Sequence, residues 1–298
     1  MLAKSIRREA LAEFLGTFML MALSDGANAQ LVLSGGTQGS ALSVHISQGI
    51  GVMMGVYISG GVSGGHINPA VTVAQAVRGR LAWTKVPFYL AGQYGGSFLA
   101  SVLLYLVYND ALYHYDDGVR STTGLTSTAR IWATYPQTFL SVTNGMVDQI
   151  FGSAILLICV SALSDKNNLN PPSGLIPVCT GLLVFVINST FCFNCGCAVN
   201  PARDLSPRLF TAMAGWGSQP FSYNGYSYFW IPVLGPHIGA VLGTVVYDLC
   251  IGFHWPDDDR ENIDQNSVWI PRKYHNIKQK QSYKDKCGDL DHLLETSV

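Results

Sequence analysis

Six stretches of this chain, at about residues 10–33, 41–60, 86–107, 145–164, 175–193 and 229–253, each approach the ~20 apolar residues that carry a helix across a bilayer. Hydrocarbon offers nothing for a backbone N–H or C=O to bond. Such segments must satisfy those groups internally, as helices do. All six are rich in Gly, Ala and Ser, which lets helices approach closely in lipid. Only 12% of the 298 residues are charged, against about 25% in soluble domains. Those charges crowd the region beyond Asp257 and are sparse from Ala10 to Phe253. The expected organisation is a short N-terminal segment over 1–9, an embedded body over 10–253 and a largely disordered tail over 254–298. MLAKSIRREA is a basic amphipathic opening, and the apolar stretch after it is too long for a cleaved leader.

Lys and Arg set the expected orientation. With both termini on one side, that side collects Lys4, Arg7, Arg8, Arg78, Arg80, Lys85, Lys166 and the seven basic residues of the tail. The other side keeps Arg120, Arg130, Arg203 and Arg208. The positive-inside bias therefore expects both termini in the cytosol and the long connection 108–144 outside, as a folded loop.

Two further segments, Pro69 to about Val77 and Pro201 to about Phe210, are too short to span. In each an Asn can cap the first turn, and Pro holds the first helical position, where its missing N–H costs nothing. These read as half-helices entering from opposite faces. The chain also repeats itself. Glu13-Phe-Leu-Gly-Thr17 opens one half (about 10–107) and Gln149-Ile-Phe-Gly-Ser153 the other (about 145–253). Gly64-Gly-His-Ile-Asn68-Pro69-Ala70 matches Gly196-Cys-Ala-Val-Asn200-Pro201-Ala202. Three spans per half place the second copy upside down, the plan in which broken helices meet near the midplane and form a permeation site.

Two half-helix N-termini at the bilayer centre focus about half a positive charge each there. Irregular backbone is tolerated at that depth where it lines a cavity. Carbonyls of Gly64, Gly65, His66 and Ile67, and of Cys195 and Gly196 onward to Val199, are therefore expected to form an acceptor ladder. Asn68 and Asn200 would offer amide donors at the centre, and the positive midpoint opposes cations, protons included. Arg203 lies in an apolar region where a charge costs about 2.5–3.5 kcal/mol at the helix centre, so it either snorkels to the interface or faces a wet cavity. As a pore residue it would orient solute oxygens. The pattern describes a pore for neutral, hydrogen-bonding solutes and no enzyme. A secondary transporter or a scaffolding membrane protein is the competing class, and Asp25 is the one acidic candidate for ion coupling.

These motifs resemble those of the major intrinsic proteins, the aquaporin family, over about residues 10–253, and more closely its aquaglyceroporin branch. Asp204 after the Arg is similar to a mark of that branch. Trp132-Ala-Thr-Tyr-Pro136, Asn144-Gly-Met-Val-Asp-Gln149, Ala162-Leu-Ser-Asp-Lys166 and Ala214-Gly-Trp-Gly217 are similar to it as well. The resemblance implies an all-α membrane protein of six transmembrane helices plus two half-helices in an inverted repeat. It also implies one pore per chain, a homotetramer, and passive passage of water and small polyols, chiefly glycerol. Counting from the two motifs, the family's four-residue selectivity filter falls at Gln48, Asn188, Cys197 and Arg203. The branch has an aromatic, a Gly and an aromatic or aliphatic residue at the first three positions. All three differ here, so water-selective or water/urea passage is the alternative.

Cys192, Cys195 and Cys197 stand in a C-x-x-C-x-C spacing, but a helix does not turn all three to one face, and no fourth ligand is close in sequence. They read as reduced packing residues without a metal, Cys197 facing the pore, and no cofactor is expected. Asn188-Ser-Thr190 matches a glycosylation sequon buried in a membrane segment. His66 is expected to fix its loop by a hydrogen bond, the alternative being a pH-sensitive gate. Glu13 is expected to tie down half-helix backbone. The terminal Glu295-Thr296-Ser297-Val298 fits strand addition to a PDZ-type partner through Thr296 and the Val298 carboxylate. The expected partners are thus permeants, lipid, further copies of the chain and that PDZ protein, with no nucleic acid; the expected place is the plasma membrane.

Overall fold

The computed structural model describes residues 2–255; the expected tail beyond them, with Thr296 and Val298, lies outside the described residues. Ten α-helices appear in order among the described residues: α1 Leu2–Leu33, α2 Ala41–Ser63, α3 Pro69–Val77, α4 Val86–Val107, α5 Asn109–Asp116, α6 Val142–Ser164, α7 Ile176–Phe191, α8 Pro201–Thr211, α9 Gln219–Ser222 and α10 Ile231–Cys250. The helices α1, α2, α4, α6 and α10 lie in segments long and apolar enough to cross a membrane. The sixth expected span, α7, has 16 residues, about 24 Å at 1.5 Å per residue, short of the ~30 Å hydrocarbon core. Helix α1 begins well before the apolar stretch that announced it. Backbone bonding continues through the polar opening, where Glu9 binds Lys85 Nζ at 2.9 Å and accepts from Tyr89 Oη at 2.9 Å.

Glycines let the backbones touch. A Cβ at Gly96 of α4 would stand 2.1 Å from the Phe14 carbonyl oxygen of α1, and one at Gly92 2.4 Å from that of Ala10. In the second half, a Cβ at Gly239 or Gly243 of α10 would stand 2.1 or 2.2 Å from the carbonyl oxygen of Ile150 or Ala154 of α6. The two halves thus pack alike, α1 on α4 and α6 on α10. They join where Gly49 of α2 and Gly181 of α7 each sit 2.6 Å, by the same measure, from the other's carbonyl oxygen. In hydrocarbon this close van der Waals fit replaces the hydrophobic drive.

The long connection 108–144 is folded rather than a bare linker. Ala129, Ile131 and Trp132 have no exposed surface, and Trp132 packs on Phe210 and Trp216 with ring centroids 5.9 and 5.2 Å away.

Candidate functional site

Helix α3 starts at Asn68, whose side chain accepts from Ala70 N at 2.9 Å; α8 starts at Asn200, which accepts from Ala202 N at 3.0 Å and Arg203 N at 3.3 Å. Both asparagines are therefore N-caps with Pro next, the geometry their sequence dictates. The remaining amide hydrogens do something the sequence did not reveal. Asn68 Nδ2 donates to the Val199 carbonyl and Asn200 Nδ2 to the Ile67 carbonyl, both at 2.9 Å. Each loop is pinned by the other's cap. An amide carries two N–H groups, so one hydrogen per asparagine is spent on this cross-tie and one is left for the cavity that both residues line.

The two loops share an uncommon backbone. At four, three and one residues before each Asn, φ is positive: Gly64 +93°, Gly65 +65° and Ile67 +43° in the first loop, Gly196 +81°, Cys197 +43° and Val199 +41° in the second. A left-handed β-branched residue is strained. Ile67 and Val199 hold it because their amides are gripped. Ile67 N donates to Glu13 Oε2 at 2.6 Å, and Val199 N donates to Gln149 Oε1 at 3.2 Å. The repeated segments that open the two halves thus place one acceptor each under the same position of the two motifs. Glu13 does more. It also takes His66 N at 3.0 Å, Ser63 Oγ at 2.5 Å and Gln93 Nε2 at 2.8 Å, which accounts for a carboxylate with no exposed surface. His66 makes the expected loop contact, Nδ1 to Thr72 Oγ1 at 3.1 Å.

One cavity runs past both motifs. Gly64, Gly65, His66, Ile67 and Asn68 line it from one loop, and Cys197, Ala198, Val199, Asn200 and Arg203 from the other. The wall supplied by the helices is mostly apolar, with Leu20, Val52, Val56, Leu156, Val160 and Val184. Cys195 and Gly196 are not among the lining residues, so on this side the lining starts two residues later than the sequence suggested. The Cys195 carbonyl accepts from Tyr228 Oη at 2.9 Å, and its sulfur lies 3.1 Å from both Asp148 and Gln149. The C-x-x-C-x-C spacing is thereby split, and among the described residues no three His, Cys, Asp or Glu side chains are grouped to hold a metal.

Gln48, Asn188, Cys197 and Arg203, four positions spread over three parts of the chain, all line this cavity. Asn188 Nδ2 donates to Gln48 Oε1 at 2.6 Å, while Asn188 Oδ1 is buried without a protein partner. Arg203 Nη1 donates to the Trp132 carbonyl at 2.8 Å. Asp204 does not line the cavity. It has no exposed surface and accepts from Thr134 N at 2.8 Å and from Arg208 Nη2 at 2.7 Å and Nε at 3.0 Å. Arg208, equally buried, stacks 4.7 Å from the Tyr135 ring centroid. Asp204 therefore holds the loop whose Trp132 carbonyl receives Arg203. Sequence reading left Arg208 as a mere outer charge; its four-residue spacing from Asp204 was the available signal. Asp25 is 1% exposed, has no protein partner for either oxygen, and lies off the cavity.

The comparisons follow the geometry. The chain matches the family described as Major intrinsic protein over residues 2–247 and belongs to it. Aquaporin-10 of Milnesium tardigradum is 50% identical over 276 residues, covering 88% of this chain and 67% of that one. Aquaporin-9 of Homo sapiens is 45% identical over 273 residues, covering 92% of each. The X-ray structure of the aquaglyceroporin from Plasmodium falciparum superposes with a TM-score of 0.75 at 28% identity, covering 83% of this chain and 98% of that one. The protein is an integral membrane protein of the aquaporin fold.

Proposed function

We propose that this protein is a passive channel for water and small neutral polyols, chiefly glycerol, and that it excludes ions and protons. The observation that carries the reading is the cavity that pairs a stripe of hydrogen-bonding loop residues with a wall of apolar helix side chains. A polyol is amphipathic along its length, so its hydroxyls can follow the stripe while its carbons slide on Val52, Val56 and Val184. At the centre each Asn offers one oriented N–H beside a half-helix N-terminus. A water or hydroxyl there accepts from both loops, and the positive field opposes a cation.

The residue roles belong to this proposal. Asn68, Pro69, Ala70 and Asn200, Pro201, Ala202 form the central constriction. Gln48, Asn188, Cys197 and Arg203 form the filter. Gly64, Gly65, His66 and Ile67 supply acceptors. The chain works as a homotetramer in the plasma membrane with both termini cytosolic, is not an enzyme, and its Thr296–Val298 end recruits a PDZ-type partner. Urea passage is favoured by one feature, the unpartnered Asn188 Oδ1 in the cavity that Arg203 also lines, which suits a solute carrying both N–H and C=O. Ion-coupled transport finds less support, because Asp25 does not line the cavity.

Stopped-flow light scattering of proteoliposomes in water, glycerol and urea gradients tests the reading. Fast, non-saturating flux of water and glycerol is the expected result. Flux that saturates and follows an ion gradient would overturn it.

A further inference from the structure

Helix α3 carries two polar side chains, Thr72 and Gln75, in an otherwise apolar run. Thr72 is spent inside the fold. Its hydroxyl donates to the Asn68 carbonyl at 3.1 Å and accepts from Gln93 Nε2 at 2.8 Å. Gln75 lines the cavity, and its Oε1 is buried without a hydrogen-bond partner among the described residues. The backbone that carries it is fixed. Arg80 N and Leu81 N both donate to the Gln75 carbonyl, at 2.9 and 3.2 Å, and Gly79 N donates to that of Ala76 at 3.0 Å, a Schellman close of the helix. Burying an acceptor with no partner costs desolvation that an aliphatic side chain in its place would not. A solute in the cavity can supply the donor.

Gln75 stands seven residues beyond Asn68, about 10 Å of helix rise, and so lies clear of the central asparagines. Arg78, which caps α3, pairs with Asp248 of α10. The adjacent Tyr247 donates to Asp165 Oδ2 at 2.8 Å, and Asp165 directly follows Ser164, the last residue of α6. The ends of α3 and α6 therefore meet at one end of the bundle. Helix α7 starts from that end; Tyr57 Oη, in the half of α2 away from Gln48, donates to the Gly174 carbonyl just before it at 2.8 Å. Thr180 in its opening turns precedes Asn188 by about 12 Å of rise. Ser164 and Thr180 both line the cavity. Their hydroxyl hydrogens are already committed, to the Val160 carbonyl at 2.6 Å and the Ile176 carbonyl at 2.8 Å, so each presents lone pairs. This end of the cavity thus carries three side-chain acceptors together with the aliphatic Val160, Leu163 and Ile176.

We propose that Gln75, with Ser164 and Thr180, forms a solute-binding subsite for small polyols at the end of the cavity away from Arg203, and that Gln75 sets its affinity. A triol brings three O–H donors to three acceptors and lays its carbons on the aliphatic side chains. Water brings the donors without the carbons, so the subsite favours the polyol. A polyol held there stands in the path of water. The inference rests on the channel reading above and adds a second point of recognition, remote from Gln48, Asn188, Cys197 and Arg203.

The test measures osmotic water flux of the full-length protein in proteoliposomes, driven by a sucrose gradient, with equal glycerol on both sides at rising concentration. Wild-type flux is expected to fall saturably. In Gln75→Met, which keeps the side-chain length and removes the carboxamide, the half-inhibiting glycerol concentration should rise about two- to tenfold, the factor for one net hydrogen bond. Ser164→Ala, at an exposed helix end, should shift it the same way by about twofold. Fast water flux that glycerol does not inhibit, or inhibits equally in wild type and Gln75→Met, overturns the subsite and leaves the channel reading standing. If Gln75→Met does not fold, unchanged sensitivity in Ser164→Ala overturns it instead. Wild-type vesicles no more permeable than empty ones overturn the channel reading, and the subsite with it.

Discussion

Replacing Glu13 with Gln changes one atom and tests how the first half-helix is held. Glu13 Oε1 accepts from Ser63 Oγ and His66 N, and Oε2 from Ile67 N and Gln93 Nε2. A carboxamide has one acceptor oxygen. If its oxygen keeps Ser63 and His66, the new NH2 faces the Ile67 amide; Gln93 can flip to accept, but a backbone N–H cannot. If the amide is reversed, His66 N is the group left facing a donor. Either way one buried backbone N–H loses its partner, at about 1–3 kcal/mol, and the surviving bonds weaken because the acceptor is neutral. The expected total is about 2–4 kcal/mol, large against a net stability of ~5–15 kcal/mol. Ile67, strained at φ +43°, is then free to relax, and its carbonyl is the acceptor for Asn200. Thermal melting of the purified protein should fall by several degrees, and glycerol flux per protein should drop. The second half supplies the comparison. Gln149 accepts only one backbone amide and uses its NH2 toward Cys195 and Asp148. Unchanged melting and flux in Glu13→Gln would refute the argument that the carboxylate's double acceptance holds the loop.

Asp204→Asn should cost about 3–5 kcal/mol, because it leaves the wholly buried Arg208 guanidinium without its counter-charge; melting reads the loss, and a looser Trp132 loop should raise the proton leak measured with an entrapped pH dye. Gly96→Ala drives a methyl to 2.1 Å from the Phe14 carbonyl and should destabilise by at least about 1–3 kcal/mol. Gly95→Ala, with its nearest contact a ring carbon at 3.4 Å, should melt close to wild type, so equal melting points for the two variants would contradict the packing. An organic mercurial is expected to block flux, and Cys197→Ser should abolish the block; persistent block would place the reactive thiol elsewhere.

What the chain reveals by itself is whatever rests on local physics. Spans follow from apolar length, and half-helices from Asn–Pro capping within apolar surroundings. Inversion follows from three spans per repeat. Those expectations agree with the helices closely: α3 ends at Val77 as expected, and α8 runs one residue past the expected Phe210. The start of α1 was missed because a helix does not stop where hydropathy does. Gln48 and Asn188 could be counted out from the motifs, yet their mutual 2.6 Å bond could not, since it joins residues 140 positions apart.

Tertiary structure alone decided where the remaining hydrogens go. The reciprocal bonds of Asn68 and Asn200, and the grip of Glu13 and Gln149 on Ile67 and Val199, connect groups whose sequence neighbours give no hint of a partner. It also decided which thiols face the cavity, because the left-handed turn before Asn200 points Cys197 inward and leaves Cys195 with Asp148. The physical reason is common to all of these. Capping and hydropathy are satisfied within a few residues. A buried polar group in a membrane must be satisfied wherever the fold brings a partner.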